Sequence, residues 1–232
     1  VAHGEFNSMI QWLRECCLST ALTVNPVVYQ GIIKEFWMSA KLKRGNDRSI
    51  YVKADVKGCK VIKTEQSIRY ALQIDDQSTF PTKIATDEAQ EILYKMGYEG
   101  DFPPKIKKLL PPYWRFLAHV FMSCISGRRS GADEISLRNT GAIVSLAAGI
   151  GFNFSRLILD KFVVNINAIT PDTFLMYPRF IQLFINRKFP HMVKEGDTID
   201  MKSLGPHTVG LIKQNRKGKV VFQGLCPLVK LG

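Results

Sequence analysis

The run YWRFLAHVFMSCISGRRSG, residues 113–131, sets a histidine and a cysteine inside an apolar stretch and closes on paired arginines. A thiol and an imidazole within hydrogen-bond reach would form a nucleophile and its base. Helical spacing denies them that contact, because residues five apart stand about 140° apart around an α-helix axis. His119 and Cys124 therefore point in different directions. With Trp114, Phe116, Leu117, Val120, Phe121 and Ile125 around it, the run reads as a core helix over 113–126, expected to be the most buried element. Arg128 and Arg129, between Gly127 and Gly131, suit either a phosphate or a helix C-terminus, where cations offset the dipole.

Other chemistries find even less support. The histidines at 3, 119, 191 and 207 form no HxH, HxxxH or HxxE grouping. A two-metal nuclease needs carboxylates gathered at strand ends. Asp55 is the one acid on an expected strand, flanked by lysines, and Asp75-Asp76 reads as a turn. No GxSxG is present, and AAGIGFNF gives GxG without a third glycine or a preceding strand, which marks a turn. Cysteines 16, 17, 59, 124 and 226 show no CxxC and no metal-ligand spacing, so they read as reduced, packed thiols. The expectation is a chain with no catalytic residues, no metal and no cofactor.

Charge carries more information. The 232 residues have a net charge of +12 with 46% hydrophobic residues. That composition suits a folded core, and the charge favours polyanions, whose counterions are released on contact. The excess is uneven: residues 41–69 hold nine Lys/Arg against three acids, residues 70–100 two against six, and residues 186–232 nine against three.

The elements that would position these charges follow from periodicity. Phe6, Met9, Ile10, Leu13 and Cys17 predict an amphipathic helix over 6–18. Asn25 and Pro26 predict the cap and first position of a second helix with Val28, Ile32, Phe36 and Trp37 buried. After the polar break KRGNDRS the period falls to two, and SIYVKADVKGCKVIKT predicts a β-hairpin turning at Lys57-Gly58. Thr64 caps a helix through Leu72, and Thr86 caps another that stops at Gly97. The Pro-rich EGDFPPKIKKLLPP marks a candidate boundary between a subdomain at 1–100, a helix pair with the hairpin, and a helical bundle at 101–232, within one unit. Helices at 134–148 and 154–166 and one from Pro178 complete the bundle. TVGLIKQ and VVFQG, joined by NRKGK, predict a second, basic hairpin near 208–223. The fold class is α+β, mainly α, and the two hairpins are candidates to pair into one small sheet.

No run of eighteen apolar residues predicts a membrane span, and VAHGEFNSM lacks the features of a signal peptide. A cytoplasmic or nuclear location and no membrane partner are expected.

The segments ALTVNPVVYQGIIKEFW, KGCKVIKTEQSIRYAL, LYKMGYEG, YWRFLAHVFMSCIS, GFNFSRLILDKFVVNI and FLMYPRFIQLFINRKF resemble a domain of plant copia-type LTR-retrotransposon polyproteins, encoded downstream of reverse transcriptase and RNase H. GLIKQNRKGKVVFQGLCPLV is similar to that family's basic C-terminal piece. A more distant resemblance is to the plant transposon protein domain, through its EFW helix, hairpin and long helices. The chain departs from the pattern at Ala132, where the family has an aromatic. The resemblance implies retroelement ancestry and supplies no catalytic residues.

Together these readings predict a non-enzymatic accessory protein that binds DNA or RNA. The candidate contacts are Lys53, Lys57, Lys60, Lys63, Arg128, Arg129, Lys213, Arg216, Lys217 and Lys219. The rivals are a self-assembling structural module (a capsid-like or envelope-position homo-oligomer) and a degenerate transposase or nuclease.

Overall fold

Helical spacing gives way to alternation after residue 39, and there the chain leaves its first helices for a small sheet. The structure is a computed structural model that describes residues 2–104, 107–125, 135–168 and 176–199, with strands at 211–214 and 220–223. The described fold is α+β and mainly α, as the periodicity predicts.

Helix α1 (Ala2–Glu15) buries Met9 and Leu13, and a short α2 (Ser19–Thr23) follows. The next helix starts later than Asn25-Pro26 suggests. Val28 and Tyr29 form strand β1, and α3 spans Gln30–Ser39 with Tyr29 as its N-cap. The reason is tertiary: β1 pairs antiparallel with β5 (Thr198–Ile199), and the Tyr29 amide donates to Gln182 Oε1 at 3.1 Å. The expected buried face of α3 is nonetheless present, with Val28, Ile32, Phe36 and Trp37 all inside.

The polar break KRGNDRS is a turn between two strands. Strands β2 (Lys41–Arg44), β3 (Ile50–Val56) and β4 (Cys59–Lys63) make a three-stranded antiparallel sheet in that order. At the β3–β4 turn Lys57 and Gly58 both have positive φ, 48° and 75°, the geometry that matches the twist of a hairpin. Space for a methyl group exists at Gly58, but its backbone conformation is strained for other residues. Gly58→Ala is therefore expected to cost about 1 kcal/mol in chemical denaturation; an unchanged midpoint would contradict this.

Strands β6 (Leu211–Gln214) and β7 (Val220–Gln223) form the second hairpin where the sequence places it. Among the described residues it does not pair with the first hairpin as expected. Each hairpin belongs to its own sheet, and β1–β5 forms another.

Helix α4 (Glu65–Leu72) opens on a capping box between Thr64 and Ser67. Thr86 does not cap helix α5 (Thr86–Lys95) but is its first residue; the N-cap is Ala85, which has no side-chain acceptor to offer. Then come α6 (Pro112–Cys124), α7 (Leu137–Ala148), α8 (Phe154–Asn167) and α9 (Pro178–Lys188). The most enclosed of these is α7 and not α6, since every residue from Asn139 to Leu146 is buried. Its run of small side chains, Gly141-Ala142 and Ser145, lets neighbours close in all round. In α6, Cys124 is buried, and His119 Nδ1 lies 3.1 Å from the Lys107 amine.

One aromatic chain joins the layers. Phe36 meets Trp37 edge-on at 5.5 Å, Trp37 stacks on Phe162 at 5.6 Å, and Phe162, Tyr177 and Phe180 continue it at 5.2 and 5.0 Å. It ties α3, α8 and α9 around the inner face of the sheet. Among the described residues no helix is long and apolar enough to cross a membrane.

Candidate nucleic-acid interface

Alternation sorts the sheet into two faces. Val52, Ala54, Val56, Val61 and Lys63 are buried against the helices. The alternate residues, Tyr51, Lys53, Asp55, Lys60 and Ile62, therefore lie on the opposite face. The β2–β3 register puts Lys41 across from Lys53 and Lys43 across from Tyr51. The outer face thus presents Lys41, Lys43, Lys53 and Lys60 against one acid, Asp55, which sits across from Lys60. Among the described residues none of the four lysines is in an ion pair. Directly opposed like charges such as Lys41 and Lys53 destabilise a sheet on their own. A polyanion laid across the face would turn that cost into attraction.

The expected contacts divide sharply on this geometry. Lys53 and Lys60 are on the outer face, with Lys60 exposed. Lys57 is at the hairpin turn, exposed, but already bridged to Glu195 at 3.3 Å. Its amide donates to Glu35 Oε2 at 2.6 Å, pinning the turn to α3.

Lys63 is corrected outright. It is 2% exposed, with its ammonium over the rings of Phe184, Phe162 and Phe36 at 4.3, 5.1 and 5.5 Å. It cannot touch a surface polymer from there. Burial pulls its pKa down to about 7.

Arg128, Arg129, Arg216, Lys217 and Lys219 lie outside the described residues. Lys213 is on strand β6 of the second hairpin.

Two of the face lysines, Lys41 and Lys43, escaped the sequence reading. KLKR alternates, but it is only four residues long and directly follows a strong helix. The structural signal is its pairing with β3. Arg187 and Lys188, in the last turn of α9, were also missed as candidates.

The other chemistries find no centre. Among the described residues no group of three His, Cys, Asp or Glu side chains could hold a metal ion. Asp55 has its main chain tied to Ser39, with the Ser39 hydroxyl at 2.8 Å from both its amide and its carbonyl oxygen. Cys16, Cys17 and Cys59 are free thiols, and Cys124 is buried in α6. Burial raises both Cys16 and Cys17, the latter to about 12, which leaves them protonated and poor nucleophiles near neutrality. Asp76, read from sequence as part of a turn, is a buried anchor that accepts from Arg69 and Ser155.

Comparison with protein families, curated proteins and solved structures finds no match for this chain.

Proposed function

We propose that this chain is a non-enzymatic accessory protein of retroelement descent that binds nucleic acid across the outer face of its three-stranded sheet. The observation that carries this reading is the lysine set Lys41, Lys43, Lys53 and Lys60, without an ion pair among the described residues and with two of its members directly opposed. Sheets are established groove readers, and cations on one face supply the affinity that phosphates provide to any binder. Tyr51, on the same face across from Lys43, offers a ring beside the charges. The ancestry rests on the ordered motifs of the sequence. The second basic hairpin, with Lys213, extends the same chemistry.

The test is binding to labelled DNA and RNA across a salt series, with mass followed by light scattering. A triple variant, Lys41→Glu, Lys53→Glu and Lys60→Glu, is expected to weaken binding and to flatten the log–log salt slope by about two to three, near one per lost phosphate contact. The same affinity and slope in the variant would remove the sheet from the interface. A defined oligomer that binds neither polymer would transfer the reading to a self-assembling module.

A further inference from the structure

The junction of the outer face with α4 and α9 contains a cavity of about 510 Å³. That volume lies within the range of small-ligand sites. Lys60 and Ile62 of the outer face form one wall, so the cavity is continuous with the basic surface. Arg187 and Lys188 face it from the end of α9, and no acid is among the described residues that line it. None of its three cations is in an ion pair among the described residues. Tyr70, Phe184 and Phe189 give the wall its aromatic part, and Thr64, Gln66 and Ser67 of the α4 end add uncharged polar groups.

Tyr70 is poised rather than packed. The residue is 62% exposed, and the Arg187 guanidinium lies 5.1 Å from the ring centroid while donating to the Tyr70 carbonyl at 2.8 Å. The guanidinium covers one face of a ring that belongs to a largely exposed residue on the cavity wall. Lys60 and Lys188 stand ready for an anion beside it.

We propose that this cavity takes one unstacked nucleotide of a single strand, its base against Tyr70 and its phosphate among Lys60, Arg187 and Lys188. The inference rests on the proposed nucleic-acid reading and adds a preference for single strands to it. A paired base would have to leave its duplex to enter, at a cost that a single strand avoids. An aromatic platform with cations along the backbone path is the usual equipment of single-strand binders.

The experiment measures the affinity of the whole chain for a labelled single strand and for the duplex of the same sequence, with AMP and inorganic phosphate as competitors. Tighter single-strand binding is expected, displaced by AMP at concentrations where phosphate has no effect. Tyr70→Ala should weaken single-strand binding about fivefold to a hundredfold and leave duplex binding unchanged, whereas Tyr70→Phe keeps the preference. Arg187→Gln supplies an independent loss of preference should Tyr70→Ala fail to fold, as judged by thermal melts. Equal binding of strand and duplex, unmoved by either variant, would overturn the cavity proposal and leave the sheet reading intact. Equal competition by AMP and phosphate would reduce the cavity to an anion site and overturn the base-binding claim. Binding of neither polymer would overturn both.

Discussion

Lys63→Met is expected to make the protein more stable at neutral pH, by about 1–4 kcal/mol, the gain seen when a buried charge is replaced by an apolar side chain of similar volume. The ammonium lies among Phe36, Phe162 and Phe184, and among the described residues no hydrogen-bond or ion-pair partner satisfies it. Three ring faces offset part of its lost hydration. The rest is an unrelieved desolvation cost, and desolvation is what pulls its pKa from 10.5 to about 7. Methionine fills the same channel with a thioether that packs well on aromatic rings.

The pH dependence fixes the sign independently. Between about pH 7 and 10.5 the unfolded chain holds a proton on Lys63 that the folded chain has released. Stability gained from this group therefore rises with pH across that window, is lowest below about 7, and is fully recovered above 10.5. In Lys63→Met that slope should vanish. Lys63→Arg should behave oppositely and destabilise the fold at every pH, because a guanidinium cannot shed its proton. Thermal melts of the three proteins across this range decide the matter, at about 2–4 °C per kcal/mol for a chain of this size. A Lys63→Met protein less stable than wild type near pH 7, or one that keeps the slope, would show that the amine has a stabilising partner. Nucleic-acid affinity should be unchanged in the methionine variant, since the side chain is 2% exposed.

Lys63 also shows where the sequence was readable and where it was not. Period-two alternation does place Lys63 on the face of Val61, and its register partner Val52 is buried. A lysine at the end of a strand nevertheless reads as a surface cation, because long cationic side chains usually reach water. What traps it is Phe162 and Phe184, contributed by α8 and α9 about a hundred residues further on. The hairpin turn was legible because Lys-Gly there needs two positive φ angles, and α4 because Thr64 can cap only a helix that begins directly after it. Strand β1 was not legible, since two residues gain their strand character from Ile199 and Thr198 far along the chain. The basic face of the sheet was half visible for the same reason. Lys53 and Lys60 lie on a hairpin that local pattern defines, while Lys41 and Lys43 become part of the face only once β2 has paired.

Asp76→Ala is expected to lower stability by about 3–5 kcal/mol, the cost of breaking a buried ion pair from one side. Sequence offers Asp75-Asp76 as an ordinary acidic turn, yet Asp76 is 6% exposed and reaches two helices. Its Oδ1 accepts from Arg69 Nε on α4 at 2.5 Å and from the Ser155 hydroxyl at 3.0 Å, while Oδ2 accepts from the Ser155 amide at 2.7 Å. That amide belongs to the first turn of α8, one of the donors a helix cannot satisfy internally. Asn153 caps the same turn through the Arg156 amide at 2.8 Å and donates to Glu65 at 3.0 Å, and Glu65 meets Arg69 at 2.9 Å. Removing Asp76 strands the buried Ser155 amide and takes from Arg69 the more buried of its two carboxylates, so the loss should exceed that of a surface pair. Ser155→Ala, which deletes only the hydroxyl bond, should cost about 1 kcal/mol. Arg69→Met with Asp76→Ala should cost less than the two single changes together, with a coupling of about 0.5–3 kcal/mol in a double-mutant cycle by urea denaturation. Strict additivity, or an Asp76→Ala protein within about 1 kcal/mol of wild type, would mean that Asp76 is not what holds α4 to α8.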